Sequence, residues 1–311
     1  MILCCGEALI DMVPAQAAGE AEARAAFMPL SGGAIFNTAI ALGRLETPVQ
    51  FFSGLSSDLF GVQLSEALNA SGVQTDLVVR SNRPTTLAFV TLTDGHAQYT
   101  FYDENTAGRM LGLDDLPDLG ADISALYFGG ISLCAEPAAS AYEALALRVA
   151  NQALIVLDPN IRPGFIQDEQ AYRARLDRMI GVAGIVKVSD EDLDWIVKDA
   201  QGEDAQVARL HALGAHLVVV TKGADGATAH AVGQPMVSVA APKVEIKDTV
   251  GAGDTFNAGM MAQLHRDGLL SKDALPAITA QQLRTALAYG AKVAAITVSR
   301  SGANPPHLSE L

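Results

Sequence analysis

Few residues of this chain are basic. Lysine and arginine number 21 against 35 aspartates and glutamates, a net charge of −14 over 311 residues. An acidic surface of that strength argues against nucleic acid and anionic membranes as partners. It also means that a phosphate site must draw on local groups, because the global field opposes it. Cysteine is scarce too. Cys4, Cys5 and Cys134 are odd in number and form no CxxC pair, which fits a reducing compartment and gives no zinc signature. No apolar run reaches the roughly 18 residues of a membrane span, and no basic segment precedes an apolar one at the N-terminus. A cytoplasmic protein is expected.

The familiar ligand motifs are missing as well. The phosphate loop GxxxxGK(S/T) is absent, and no GxGxxG follows the first strand. There is no HExxH, EF-hand loop or GxSxG elbow. The histidines at 96, 211, 216, 230, 265 and 307 are scattered and suit surface or structural use.

What is present is an apolar half of the residues and an α/β rhythm. Residues 2–5 form a short apolar strand that should release Asp11 near its end. Residues 15–26 are rich in Ala, Glu and Gln and suit an exposed loop. Apolar positions 35, 36, 39, 40, 42 and 45 share a helical face. Residues 85–93 and 97–103 alternate around Asp94-Gly95, the signature of a β-hairpin. A hairpin is foreign to a βαβ repeat and suggests a flap over one end of the domain or a plain edge hairpin. From 125 onwards strands and helices alternate, ending in helices at 252–266 and from 280 to about 299. No repeat, linker or low-complexity segment divides the chain, so one domain over 1–311 is expected.

Two glycine-rich helix starts carry the chemistry. Ser31-Gly32-Gly33-Ala34-Ile35-Phe36-Asn37 opens the first, and Asp248-Thr249-Val250-Gly251-Ala252-Gly253-Asp254-Thr255-Phe256 the second. A helix N-terminus with bare N–H groups attracts anions, phosphate above all. At the second start an acid, Asp254, sits within that positive end. Read alone, the turn is either an anion hole beside a base or a helix start with an ordinary first-turn acid. Phosphoryl transfer asks little more of a protein than positioning, cation help and a base; a base contributes roughly 10²–10⁴-fold.

Both starts resemble the two signatures of the ribokinase-like (PfkB-type) family of sugar kinases, and the likeness, closest to its fructokinase branch, runs from Gly6-Glu7-Ala8-Leu9-Ile10-Asp11 to Gly302-Ala303. The resemblance implies a central, mostly parallel sheet of about nine strands between helices, with a small β-sheet lid at 85–103 and parts of 11–30. It implies transfer of the γ-phosphate of ATP to a sugar hydroxymethyl group, with Mg²⁺ and, in many members, stimulation by K⁺. Asp254 matches the base, and Gly251, Ala252 and Gly253 match the anion hole. Asp11, Gly32, Gly33, Asn37, Phe101 and Arg162 match sugar contacts, Arg162 also having the reading of a structural ion pair. Ser189, Thr221, Lys222, Gly223, Gly226 and Gly290 match the ATP site, with Ala291 and Val293 beside the adenine. Asp248 is the position implied for K⁺. The family's Asn-x-x-Glu is replaced by Ser189-Asp190-Glu191-Asp192. Asp192 therefore either reaches Mg²⁺ through water or belongs to a helix cap. Family lids often pair across a dimer, and the alternation at 85–103 allows that.

The related 2-keto-3-deoxygluconate kinases tend to place an Arg after the aromatic pair Phe101-Tyr102. This chain has Asp103 there, which should repel a sugar acid, so a neutral ketohexose, D-fructose phosphorylated at O6, is the expected acceptor. A sugar-acid or nucleoside kinase would share the mechanism, whereas a non-catalytic nucleotide-binding module would have no need of Asp254. Asp254→Asn should abolish sugar-dependent ATP turnover in a coupled ADP-release assay, and undiminished turnover would refute the assigned base.

Overall fold

The structure, a computed structural model, describes residues 1–14, 26–93 and 96–311. The expected loop at 15–26 and the Asp94-Gly95 turn fall almost wholly outside these residues. The chain runs β1 (Ile2–Cys5), β2 (Leu9–Pro14), β3 (Phe27–Gly32), α1 (Ala34–Arg44), β4 (Val49–Phe52), β5 (Gly54–Ser56) and α2 (Leu59–Ala70). Then come β6 (Val79–Ser81), β7 (Leu87–Thr93), β8 (His96–Tyr102), β9 (Ala125–Gly129), α3 (Ala138–Val149), β10 (Leu154–Asp158) and α4 (Glu169–Ile180). The rest is β11 (Ile185–Ser189), α5 (Asp190–Ile196), α6 (Glu203–Leu213), β12 (Leu217–Thr221), β13 (Ala227–Ala231), β14 (Val237–Val239), α7 (Ala252–Arg266) and α8 (Ala280–Val298).

The main sheet has eight strands in the order β14-β13-β12-β11-β10-β9-β1-β4. Neighbours from β12 to β4 are parallel, and β13 and β14 close one edge antiparallel. Both faces are covered, which is why strands such as Leu217-Val218-Val219-Val220 read as unbroken apolar runs. Side chains alternate between two cores. Ile2, Cys4, Leu217 and Val219 pack on the layer containing α1, α2, α7 and α8. Leu3, Cys5, Val218 and Val220 pack on that of α3, α4, α5 and α6. Each fully buried Val or Leu contributes roughly 1.5–3 kcal/mol, so charge within these strands calls for a partner: Lys187, in the middle of β11, is matched by Asp158 at the end of β10.

A second sheet of four strands has the order β3-β2-β7-β8. The hairpin β7–β8 joins it in the expected place, and the 11–30 region supplies β2 and β3. One expectation is corrected. Asp11 does not end the first strand of the main sheet; it lies in the middle of β2, paired with Leu30 of β3 and Ala88 of β7. The break at Gly6-Glu7 takes the chain out of the main sheet before Asp11 is reached. The two sheets face each other across a cleft, where Phe101 of β8 meets Phe165, after β10, edge-on at 4.5 Å.

Helix α7 crosses α8 at a pair of glycines. A Cβ on Gly259 would lie 2.8 Å from the Gly290 Cα, and one on Gly290 would lie 2.8 Å from the Phe256 carbonyl oxygen. Gly290 is thus a packing residue of the crossing, at a position that the resemblance assigns to the ATP site. Gly259→Ala should lower the urea midpoint, a net loss of about 1–2 kcal/mol. The backbone clash outweighs the roughly 1 kcal/mol gain in helix propensity.

Candidate active site

The polar strand ends and the two glycine turns converge on one side of the main sheet, where open α/β sheets hold ligands. Gly251 starts α7 with φ 76°. A Cβ there would also meet the Ala303 Cβ at 2.7 Å, so both backbone and space require glycine. Asp248 braces the turn, its carboxylate accepting from the amides of Val250 at 3.0 Å and Gly302 at 2.8 Å. That brace is what the structure shows at the position implied for K⁺. The amides of Gly253 and Asp254 find no acceptor among the described residues, leaving the positive end of α7 open.

The N-terminus of α1 is different. Gly33 caps it with φ 108°, but the Ala34 amide donates to Glu7 Oε1 at 3.1 Å. Glu7 also accepts from the Ser132 hydroxyl at 2.7 Å. The protein's own carboxylate fills this anion site, so of the two glycine-rich helix starts only that of α7 can receive a phosphate. Burial pushes the Glu7 carboxyl up from its ordinary range, against the hydrogen bonds from Ser132 and Ala34.

Two cavities share the turn before α7. The first, about 530 Å³, is lined by Glu7, Asp11, Asn37, Phe101, Lys187 and Asp254 among others, with Gly33 and Arg162 also on its wall. The second, about 630 Å³, is mainly apolar and lined by Thr221, Gly223, Gly226, Phe256, Ala291 and Val298 among others. Thr249, Ala252 and Gly253 line both. Exposed Val244 and Ile246 rim the second cavity, which suits a flat apolar group such as a purine base.

Asp254 is nearly inaccessible, and its Oδ2 accepts from Asn37 Nδ2 at 2.9 Å. Burial pushes its carboxyl up to about 7; Asp158 and Glu7 add to this, while the Asn37 hydrogen bond and the Lys187 charge pull it down. Desolvation therefore wins over the Asn37 hydrogen bond and the Lys187 charge. Asp11 is pushed up to about 6 by burial. A Cβ on Gly32 would come within 2.2 Å of its Oδ2, so glycine there gives that carboxylate room.

Several expected contacts are occupied elsewhere. Lys222 pairs with Glu203 at 2.6 Å instead of lining the second cavity. Ser189 caps α5, its Oγ accepting from the Asp192 amide at 3.0 Å, and lines neither cavity. Asp192 Oδ1 accepts from the Ile161 amide at 3.1 Å, pinning the loop after β10. The cap of α5 is thus made by the Ser189 hydroxyl and the Asp192 amide, with the Asp192 carboxylate turned to Ile161, and no group of three or more His, Cys, Asp or Glu among the described residues could hold a metal. Val293 is buried in the core beside α7. Arg162 makes no ion pair among the described residues; it is exposed on the wall of the first cavity, where its guanidinium donates to the Ile161 carbonyl. Asp103 accepts from Thr86 and Thr106 hydroxyls at 2.7 and 3.0 Å and lies 3.7 Å from Arg109. It lines a separate void of about 30 Å³, so it is not the charge a sugar acid would meet. That charge comes from Glu7, Asp11 and Asp254, all on the first cavity. Glu7, Lys187 and Phe165 escaped the sequence reading. The signal for the first two was a single charge set inside or directly after an apolar strand.

The chain matches the family model described as pfkB family carbohydrate kinase over residues 1–310. It is 52% identical over 286 residues to a fructokinase of Rhizobium leguminosarum bv. trifolii, covering 91% of this chain and 86% of that one. Among solved structures it superposes on the fructokinase with bound ATP from Xylella fastidiosa, with a TM-score of 0.90, 30% identity, and coverage of 99% and 96% of the two chains. The fructokinase from Vibrio cholerae O395 in its fructose, ADP and calcium ion bound form superposes with a TM-score of 0.83 at 25% identity, covering 97% and 94%.

The raised carboxyl of Asp254 has a consequence for stability. Its folded value of about 7 lies above its ordinary 3.8. Its contribution is therefore fully present below the ordinary value and lost as the pH rises through the folded one. Asp254→Asn should melt at a higher temperature than the unsubstituted protein at pH 8.5. The difference should shrink as the pH falls towards 5, in scanning calorimetry at matched ionic strength.

Proposed function

Because this chain belongs to the pfkB family of carbohydrate kinases and is therefore a sugar phosphotransferase, we propose that its acceptor is D-fructose and its product fructose 6-phosphate. The observation that carries this reading is the single turn, 249–253, forming a wall of both cavities. A nucleotide in the apolar cavity and a sugar in the carboxylate-lined one would meet across it, with the γ-phosphate at the open end of α7.

In this reading residues 1–311 act as one catalytic unit. Asp254 is the base. It takes the proton from the sugar hydroxymethyl group as that oxygen attacks the γ-phosphorus, and Asn37 orients its carboxylate. The free amides of Gly253 and Asp254 receive the phosphoryl oxygens. Asp11 and Glu7 hold sugar hydroxyls, Gly32 and Gly33 let the ring approach, and Phe101 shuts out water. Magnesium entering with ATP would neutralise phosphate charge, and Asp192 is the carboxylate that would reach it through water; among the described residues no cluster of three or more His, Cys, Asp or Glu is present. The potassium expectation rests on family resemblance, and the Asp248 brace is where it would act. No helix among the described residues is long and apolar enough to cross a membrane, in keeping with work in the cytoplasm. Pairing of two small sheets in a dimer would bury the face bearing exposed Tyr102, which packs edge-on against Phe89 and, through it, Phe27.

The fructokinase relatives support fructose over a sugar acid, and the acidic groups lining the cavity, Glu7, Asp11 and Asp254, outnumber its cations Lys187 and Arg162. In a panel with ATP and Mg²⁺, kcat/KM should be highest for fructose. A higher value for 2-keto-3-deoxygluconate would overturn the assignment.

A further inference from the structure

The mechanism above leaves one cation at the reacting centre without a task. We propose that Lys187 is the electrophilic group of the transfer, its ammonium donating to the phosphoryl group as it passes the 249–253 turn. This rests on the sugar-kinase reading. Lys187 is 5% exposed, yet it lines the sugar-side cavity. A Cβ on Gly253 would lie 3.3 Å from its Nζ, so the ammonium stands directly against the anion-binding turn. The other cation of the cavity, Arg162, is exposed, and its guanidinium donates to the Ile161 carbonyl beside it.

The mount of Lys187 is built into the sheet. Val156 pairs with Ile185 in the parallel register of β10 and β11, and two residues further on Asp158 and Lys187 stand side by side, on the face that carries α7. Asp158 is 1% exposed, and its Oδ2 accepts from Lys187 Nζ at 3.0 Å and from Asn257 Nδ2 of α7 at 2.6 Å. Asn257 donates in turn to the Tyr127 hydroxyl at 2.9 Å. This is a poor device for stability alone. A buried ion pair scarcely recovers its desolvation cost, and here Asp158 Oδ1 and Asn257 Oδ1 are left without partners. It is a good device for holding an ammonium still. The bond to Asp158 is the one hydrogen bond of the Lys187 ammonium among the described residues; an ammonium has three donors, so two remain for a ligand.

In the step, the sugar hydroxyl gives its proton to Asp254, and its oxygen bonds to the γ-phosphorus. The bond from that phosphorus to the bridging oxygen breaks, and the electron pair leaves with ADP. Lys187 keeps its proton and offsets charge on the transferring oxygens, which is where catalysis of this reaction acts.

Lys187→Met alone would strand Asp158 as a buried unpaired carboxylate, so the decisive protein is Lys187→Met/Asp158→Asn, compared with wild type and with Asp158→Asn. Its kcat with fructose should fall roughly 10²–10³-fold, with KM for fructose and affinity for ADP close to wild type and a melting temperature not lowered. Binding of ADP with aluminium fluoride and fructose, a mimic of phosphoryl in flight, should weaken by a similar factor. A double variant with wild-type kcat, or one whose ADP binding weakens as much as its binding of the mimic, overturns the assignment. A wild-type enzyme inert towards every sugar would sink the kinase reading and this one with it. An active wild type matched by an active double variant sinks Lys187 alone.

Discussion

A carboxylate that must take up a proton while cut off from water constrains everything around it. Asp254 is held by a single side-chain hydrogen bond from Asn37, and burial raises its carboxyl far enough to accept a proton near neutrality. Too much positive charge nearby would make it a weak base; too little would leave it protonated. The observed setting balances Lys187, inside β11, against Asp158 at the end of β10 and Glu7 after the end of β1. The eight-stranded sheet thereby acts as an electrostatic scaffold as well as a mechanical one.

The glycines divide the labour between the two helix starts. At α7 they leave amides bare; at α1 a glycine with positive φ lets Glu7 come close and fill the site. Two similar sequences thus do opposite things with a helix dipole. The difference is set by a residue about 27 positions away from Ala34, whose amide it accepts. The overall acidity of the chain agrees with this economy, since the phosphate contacts proposed here are backbone amides and one buried lysine.

Much of this was readable in the residues. The helix at 252–266 ends where expected, because Gly251 needs a positive φ and the last turn meets Asp267-Gly268. The hairpin was readable because β-branched and aromatic residues alternate across it. Other parts were hidden for physical reasons. Lys222 sits next to the nucleotide turn in sequence, but the direction of its side chain depends on Glu203 from another helix. Gly290 reads as room for a ligand and is room for Gly259, which only the helix crossing reveals. Asp158 and Lys187 were visible in principle: a charge inside or at the end of an apolar parallel strand has to be matched by its neighbour, and the alternation of the strands assigns both to the face of α7. Asp11 was misplaced because a period-two pattern does not say which sheet a strand joins.

The brace at Asp248 ties the phosphate turn to Gly302, and Gly251 rests on Ala303. Both supports come from the far end of the chain, after α8. The phosphate turn thus leans on a segment 54 positions further along the chain through one hydrogen bond and one close contact. A disturbance after α8 would therefore reach the turn without touching the wall of either cavity.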